Sequence, residues 1–143
     1  MRKLKILIAV DDSPRAPTVF DVGAEYARVL GKEVYLFRAV TVPQEFPAAA
    51  HSERDTLHGT LDEIAKHELD ELAKRAPDVP VCRTIVAFGQ ASQLILETAE
   101  SLDVDLVIIG SHGYRGWDHV LGTTAASIAN RSKRNVLVVH TGV

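Results

Sequence analysis

The chain has 143 residues, 46% hydrophobic and 24% charged, with 16 Lys and Arg against 19 Asp and Glu and a formal net charge of −3. This suits one domain over residues 1–143, large enough to bury roughly two thirds of its unfolded surface, and the lack of a basic cluster argues against nucleic acid as the main partner. No apolar run approaches the ~20 residues of a membrane span, the start Met1-Arg2-Lys3-Leu4-Lys5-Ile6 lacks the apolar segment and cleavage site of a signal peptide, and the single Cys82 excludes an internal disulfide, so a soluble cytoplasmic protein is expected.

Lys5 to Val10 is a nearly continuous apolar run, as expected of a strand buried on both faces of a parallel sheet. Asp11-Asp12-Ser13-Pro14 follows. Ser13 can cap a helix beginning at Pro14, or Pro17 can mark the start. Val19, Val22, Gly23, Tyr26, Ala27 and Leu30 recur at helical spacing, and Gly31 is a suitable stop. Val34 to Val40 supplies a second strand, with Arg38 near its end. Thr41 to about Thr56 is the least regular stretch; it either folds over a ligand as a lid, with Phe46 as its apolar contact, or merely connects. Leu57, Leu61, Ile64, Ala65, Leu69, Leu72 and Ala73 form an amphipathic helix ended by Ala76-Pro77.

Val81 to Phe88 is the third strand, Gly89-Gln90-Ala91-Ser92 a turn, and Leu94, Ile95, Thr98, Ala99 and Leu102 the buried stripe of a third helix. Leu106 to Ile109 is strand four. Val120 to about Arg131 reads as helix four, with Ala125, Ile128 and Ala129 inward, and Asn135 to Val139 as strand five. Unbroken β/α alternation predicts an open α/β fold: a parallel sheet with helices on both faces.

Between strand four and helix four runs Gly110-Ser-His-Gly113-Tyr-Arg-Gly116-Trp-Asp-His-Val-Leu-Gly122-Thr123-Thr124. Glycines let the main chain approach a ligand closely, and a helix start offers unpaired N–H groups to an anion. The stretch therefore reads either as a phosphate cradle or as a corner turned by glycines, with Thr123 or Thr124 as N-cap. Open parallel sheets bind ligands beyond their C-terminal strand ends, where the connections change direction. With a strand order of 3-2-1-4-5 that place lies between strands one and four, so Ala9-Val10-Asp11 and the loop after Ile109 would flank one crevice, with Val40 as a side wall. Gly110 and Gly113 would pass close to a sugar and phosphates, and the N–H groups of Gly122, Thr123 and Thr124 would face phosphate oxygens. Asp11 suits a ribose hydroxyl, an exocyclic amine or a hydrated metal ion, or else caps a helix. Arg115 either pairs with a terminal phosphate or is a solvated loop arginine.

Other chemistry lacks its motifs. There is no Gly-Lys-Ser/Thr of a Walker loop and no Gly-x-Ser-x-Gly elbow around Ser13 or Ser111, and His51, His58, His67, His112, His119 and His140 form no recognised metal-ligand pattern. His112 and His119 are expected as exposed loop histidines, and Trp117 as packed under the loop or displayed to a partner. Val136 to Val139, at a sheet edge, would leave unpaired backbone groups that pairing across a two-fold axis removes.

The start Ile6-Leu-Ile-Ala-Val-Asp11-Asp-Ser13, the Gly89-Gln-Ala turn, the segment Asp105-Leu-Val-Ile-Ile-Gly110-Ser-His-Gly113 and the closing Asn135-Val-Leu-Val-Val139 together resemble the universal stress protein family over nearly the whole chain. The resemblance implies a Rossmann-like five-stranded sheet in the order 3-2-1-4-5, a homodimer formed through the last strand and, in the ATP-binding branch, a Gly-x2-Gly-x9-Gly-Ser/Thr motif. It implies that Asp11 meets ribose or adenine, Ala9 and Val40 the adenine, Gly110 and Gly113 the ribose and phosphates, and Gly122 with Thr123 the phosphates. Here eight residues, not nine, separate Gly113 from Gly122. The expectation is a dimeric module that binds ATP, ADP or AMP, with Mg2+ held through the phosphates, and carries a stress-related signal. The alternatives are a nucleotide-free scaffold and a slow Mg-dependent ATP hydrolase.

Overall fold

A computed structural model describes residues 2–41, 51–112 and 121–141, with the side chains of 51–54 outside that set. Among the described residues five strands, β1 (Leu4–Ala9), β2 (Gly31–Val40), β3 (Val81–Phe88), β4 (Leu106–Gly110) and β5 (Asn135–Val139), alternate with four helices, α1 (Ala16–Leu30), α2 (His51–Ala73), α3 (Ala91–Ser101) and α4 (Thr123–Arg131). All strand pairs are parallel, in the order β3-β2-β1-β4-β5. The continuous apolar runs are explained by burial on both sides. Ile6, Ile8, Val34, Leu36 and Ile108 pack in the layer of α1 and α2, against Phe20 and Leu69. Leu7, Ala9, Phe37, Val107 and Ile109 pack in that of α3 and α4, against Ile95 and Ile128. Strand alternation thus fills two cores from one run of residues.

Several local expectations are corrected. Helix α1 starts at Ala16, with Pro17 in its first turn and Arg15 as an N-cap without a side-chain bond. Ser13 instead caps nothing: its Oγ accepts from the Arg15 N–H at 3.2 Å, and Asp11 Oδ1 accepts from the Ser13 N–H at 2.9 Å, forming a turn before the helix. The buried α1 face is Ala16, Val19, Phe20, Gly23, Ala24 and Ala27, whereas Tyr26 is exposed. Small residues let the helix lie close to the sheet; a Cβ on Gly23 would stand 3.0 Å from Ile8 Cδ1. Gly31 does stop α1, yet its backbone is extended (φ −83°) and is already the first residue of β2. Its side chain is excluded because a Cβ would lie 2.8 Å from the Ala27 carbonyl oxygen.

The helix α2 begins at His51, inside the stretch expected to be irregular, and Ile64 faces solvent. Helix α3 begins at Ala91, inside the expected turn, because the Gln90 side chain accepts the Gln93 N–H at 2.8 Å and caps it. Helix α4 begins at Thr123 rather than Val120, with Gly122 as N-cap in place of either threonine, and Ala129 is exposed. Phe46 lies outside the described residues.

Candidate functional site

At the C-terminal ends of β1 and β4 a cleft of about 240 Å³ opens between the β1–α1 turn and the start of α4. It lies where the connections leave β1 and β4 for opposite faces of the sheet: α1 returns on one side and α4 on the other. Ala9, Val10, Asp11, Ile109, Gly110, Gly122, Thr123 and Thr124, all anticipated as site residues, line it together. Val40 does not. Alternation along β2 turns Val40 to the face that carries Leu36, and Ala39 lines the cleft instead, with Ala91 and Ile95 of α3. Gly113, Arg115 and Trp117 lie outside the described residues.

The floor is apolar, from Ala9, Ala39, Ile95 and Ile109, and the two ends are polar. At one end stands Asp11, exposed, with Oδ1 engaged by the Ser13 N–H. At the other is the first turn of α4. Among the described residues no side chain caps it, and its first turn holds no acidic residue, so no group of that set neutralises the N–H groups and partial positive charge of the helix start. Thr123 and Thr124 are exposed there. An apolar wall between a carboxylate and a helix start has the chemistry to suit a ligand with a ring in the middle, hydroxyls at one end and an anion at the other.

The glycines serve the chain's own close packing. A Cβ at Gly110 would stand 2.8 Å from Val19 Cγ2 of α1, and one at Gly122 would stand 3.1 Å from the Ser111 carbonyl oxygen. The Gly122 N–H donates to that same oxygen at 2.8 Å. Ser111 and Gly122, which flank residues 112–121, are therefore tied directly to each other.

Ser111 and His112 also line the cleft, and both are buried, at 2% and 7% exposure, which overturns the expectation of an exposed His112. The Ser111 Oγ lies 3.1 Å from His112 Nδ1 and accepts the Thr141 N–H at 2.8 Å. Polar residues beside glycines read as loop surface in the sequence; their burial comes from Thr141, thirty residues away, and no local signal marks it.

A second, larger cleft of about 510 Å³ lies between α1 and α2, with Asp11, Asp12 and Arg38 on its wall. Its cations are already matched to carboxylates: Arg38 pairs with Glu68 and, at 3.5 Å, with Asp12, and Arg75 bonds Asp21 at 2.7 Å. It offers an anion less than the α4 start does. Among the described residues no group of three or more His, Cys, Asp or Glu is placed to hold a metal ion, and no helix is long and apolar enough to cross a membrane.

The universal stress protein family model matches residues 4–140. Universal stress protein A homolog 1 of Coxiella burnetii is 32% identical over 139 residues, covering 94% of each chain. The structure of protein MJ0577 of Methanocaldococcus jannaschii superposes with a TM-score of 0.83 at 26% identity, covering 100% of this chain and 99% of that one. The universal stress protein from Archaeoglobus fulgidus, solved in complex with dAMP, has the same fold at a TM-score of 0.65 and 19% identity, with 96% and 98% coverage. A parallel β3-β2-β1-β4-β5 sheet and a sequence match spanning nearly every residue agree: the chain belongs to the universal stress protein family.

Proposed function

We propose that the cleft between Asp11 and the start of α4 binds an adenine nucleotide, and that the protein acts as a dimeric regulatory module whose signal is the bound state. The observation that carries the reading is the uncapped, acid-free first turn of α4 facing Asp11 across an apolar wall. The wall suits a purine ring, the Asp11 carboxylate accepts from ribose hydroxyls or the exocyclic amine, and the Gly122–Thr124 end takes the phosphates. A relative of the same fold, solved with dAMP, supports the ligand class. The tie between Gly122 and Ser111 supports an intact phosphate end despite the shortened loop. Mg2+ would then be held by the phosphates rather than by a protein cage.

Dimerisation is proposed through β5, which among the described residues ends the sheet and pairs only with β4. Val136, Leu137 and Val138 are half-buried there, and a second copy would cover their backbone edge.

The test is acid extraction of protein purified without added nucleotide, followed by melting with and without MgATP. A ligand at about 100 times its dissociation constant stabilises by roughly 2.7 kcal/mol. Release of an adenine compound, or a shift of that size, is expected. Absence of both leaves the scaffold reading in its place, and timed ADP release would establish turnover.

A further inference from the structure

The residue following β5 by two positions reaches across to the start of the glycine loop. The Thr141 N–H donates to Ser111 Oγ at 2.8 Å, its hydroxyl accepts the His112 N–H at 3.3 Å, and that hydroxyl donates to the His112 carbonyl oxygen at 3.1 Å. One side-chain oxygen thus bridges both main-chain polar groups of a buried residue. The backbone continues the same seam: the Ser111 N–H donates to the Val139 carbonyl at 2.8 Å, and the Ser111 carbonyl accepts the Gly122 N–H at 2.8 Å. Ser111 is therefore a node joining β4, the chain beyond β5 and the N-cap of α4.

From this geometry we infer that Thr141 is a positioning residue for the phosphate end of the cleft. It holds Ser111 and His112 in place, and through the Ser111 carbonyl it sets where Gly122 and the first turn of α4 stand relative to Asp11. The inference rests on the proposed nucleotide reading for its consequence in binding, but its structural half is independent of any ligand. It also makes the end of β5, the strand proposed to meet a second copy, part of the support for the ligand loop.

Two measurements on the full chain test it, using Thr141→Val, which keeps the shape and removes the hydroxyl, and Thr141→Ser, which restores it. In the ligand-free protein, amide exchange at His112 should rise at least about tenfold in Thr141→Val, return towards the parent rate in Thr141→Ser, and remain unchanged at Ile108 in the core. In MgATP titrations the dissociation constant should rise about tenfold or more in Thr141→Val, with Thr141→Ser close to the parent. Unchanged His112 exchange, or a parent that binds MgATP and a Thr141→Val that binds equally well, overturns the inference. A parent that binds no adenine nucleotide refutes the nucleotide reading instead, and the exchange measurement then decides the positioning role alone. Should Thr141→Val fail to fold, Ser111→Ala removes the acceptor of the Thr141 N–H and reads the same clasp from its other side.

Discussion

Replacing Thr123 by Glu separates the stability of the fold from the ligand end of the cleft, because the two are expected to move in opposite directions. Thr123 is the first residue of α4, is exposed, and stands in a turn with no side-chain cap and no acidic residue. A carboxylate there interacts favourably with the helix dipole, by about 0.3–1 kcal/mol, and Glu is the better helix former by a few tenths. The ligand-free variant should melt slightly higher than the parent. For a bound phosphate the same carboxylate is a like charge. At a separation of about 5 Å and an effective dielectric of about 20 the repulsion is roughly 3 kcal/mol, more than a hundredfold in affinity. At a nucleotide concentration about 100 times the parent's dissociation constant, a parent stabilisation of roughly 2.7 kcal/mol would fall to a few tenths. Since 1 kcal/mol is worth about 2–4 °C for a domain of this size, the parent should gain roughly 5–10 °C with MgATP and the variant about 1 °C. Differential scanning calorimetry of both proteins, each with and without MgATP, reads all four values. A full nucleotide shift in Thr123→Glu would show that the phosphates do not sit at the α4 start, and a ligand-free loss above 1 kcal/mol would show that this turn is not an open helix start.

Three further outcomes follow from packing and charge. Val138→Pro should yield a monomer by light scattering without loss of the fold: the Val139 carbonyl faces β4, where it accepts the Ser111 N–H, so alternation turns the Val138 N–H outward to the edge that a second copy would use; a persistent dimer would place the interface elsewhere. Gly110→Ala should destabilise the ligand-free protein by about 1–3 kcal/mol in urea denaturation, because its Cβ would press on the buried Val19 Cγ2 at 2.8 Å, and a neutral result would show that α1 yields there. The Asp105 carboxyl is held below its ordinary value by the Lys5 N–H, at 2.9 Å, and then by the Arg2 guanidinium, at 3.0 Å. A depressed folded-state value contributes stability above the unfolded value of about 3.9, lost as pH falls through the folded one, so Asp105→Asn should flatten the decline of stability below about pH 4; an unchanged acid profile would contradict the bond's role.

The strands were legible because burial on both faces requires continuous apolar runs, and β3 and β5 match their expected limits to the residue. Helix faces were less so. Tyr26 fits the α1 spacing as well as Phe20 does, but Gly23 sits close on Ile8, and Phe20 and Ala24 face inward with it. The glycines at 110 and 122 stood out, but the sequence suggested proximity to a ligand, whereas a Cβ at either would meet Val19 or the Ser111 carbonyl. A side chain at Gly122 would disturb the tie that holds α4, whereas Thr123→Glu leaves that tie in place. Val40, at the end of β2, is expected as the side wall, but strand alternation turns it to the other face and Ala39 lines the cleft. The Ser111–Thr141 clasp was illegible because its partners are 30 positions apart and each is an ordinary loop residue in its own segment.

The central claim is that an adenine nucleotide lies between Asp11 and the start of α4, and a residue-resolved NMR titration of backbone amides with MgATP tests it most directly. The prediction is saturable shifts concentrated at Ala9–Asp11 and Gly122–Thr124. Saturable shifts confined to Asp12, Arg38 and Glu68 in the α1–α2 cleft, or no shifts at millimolar nucleotide, would contradict it.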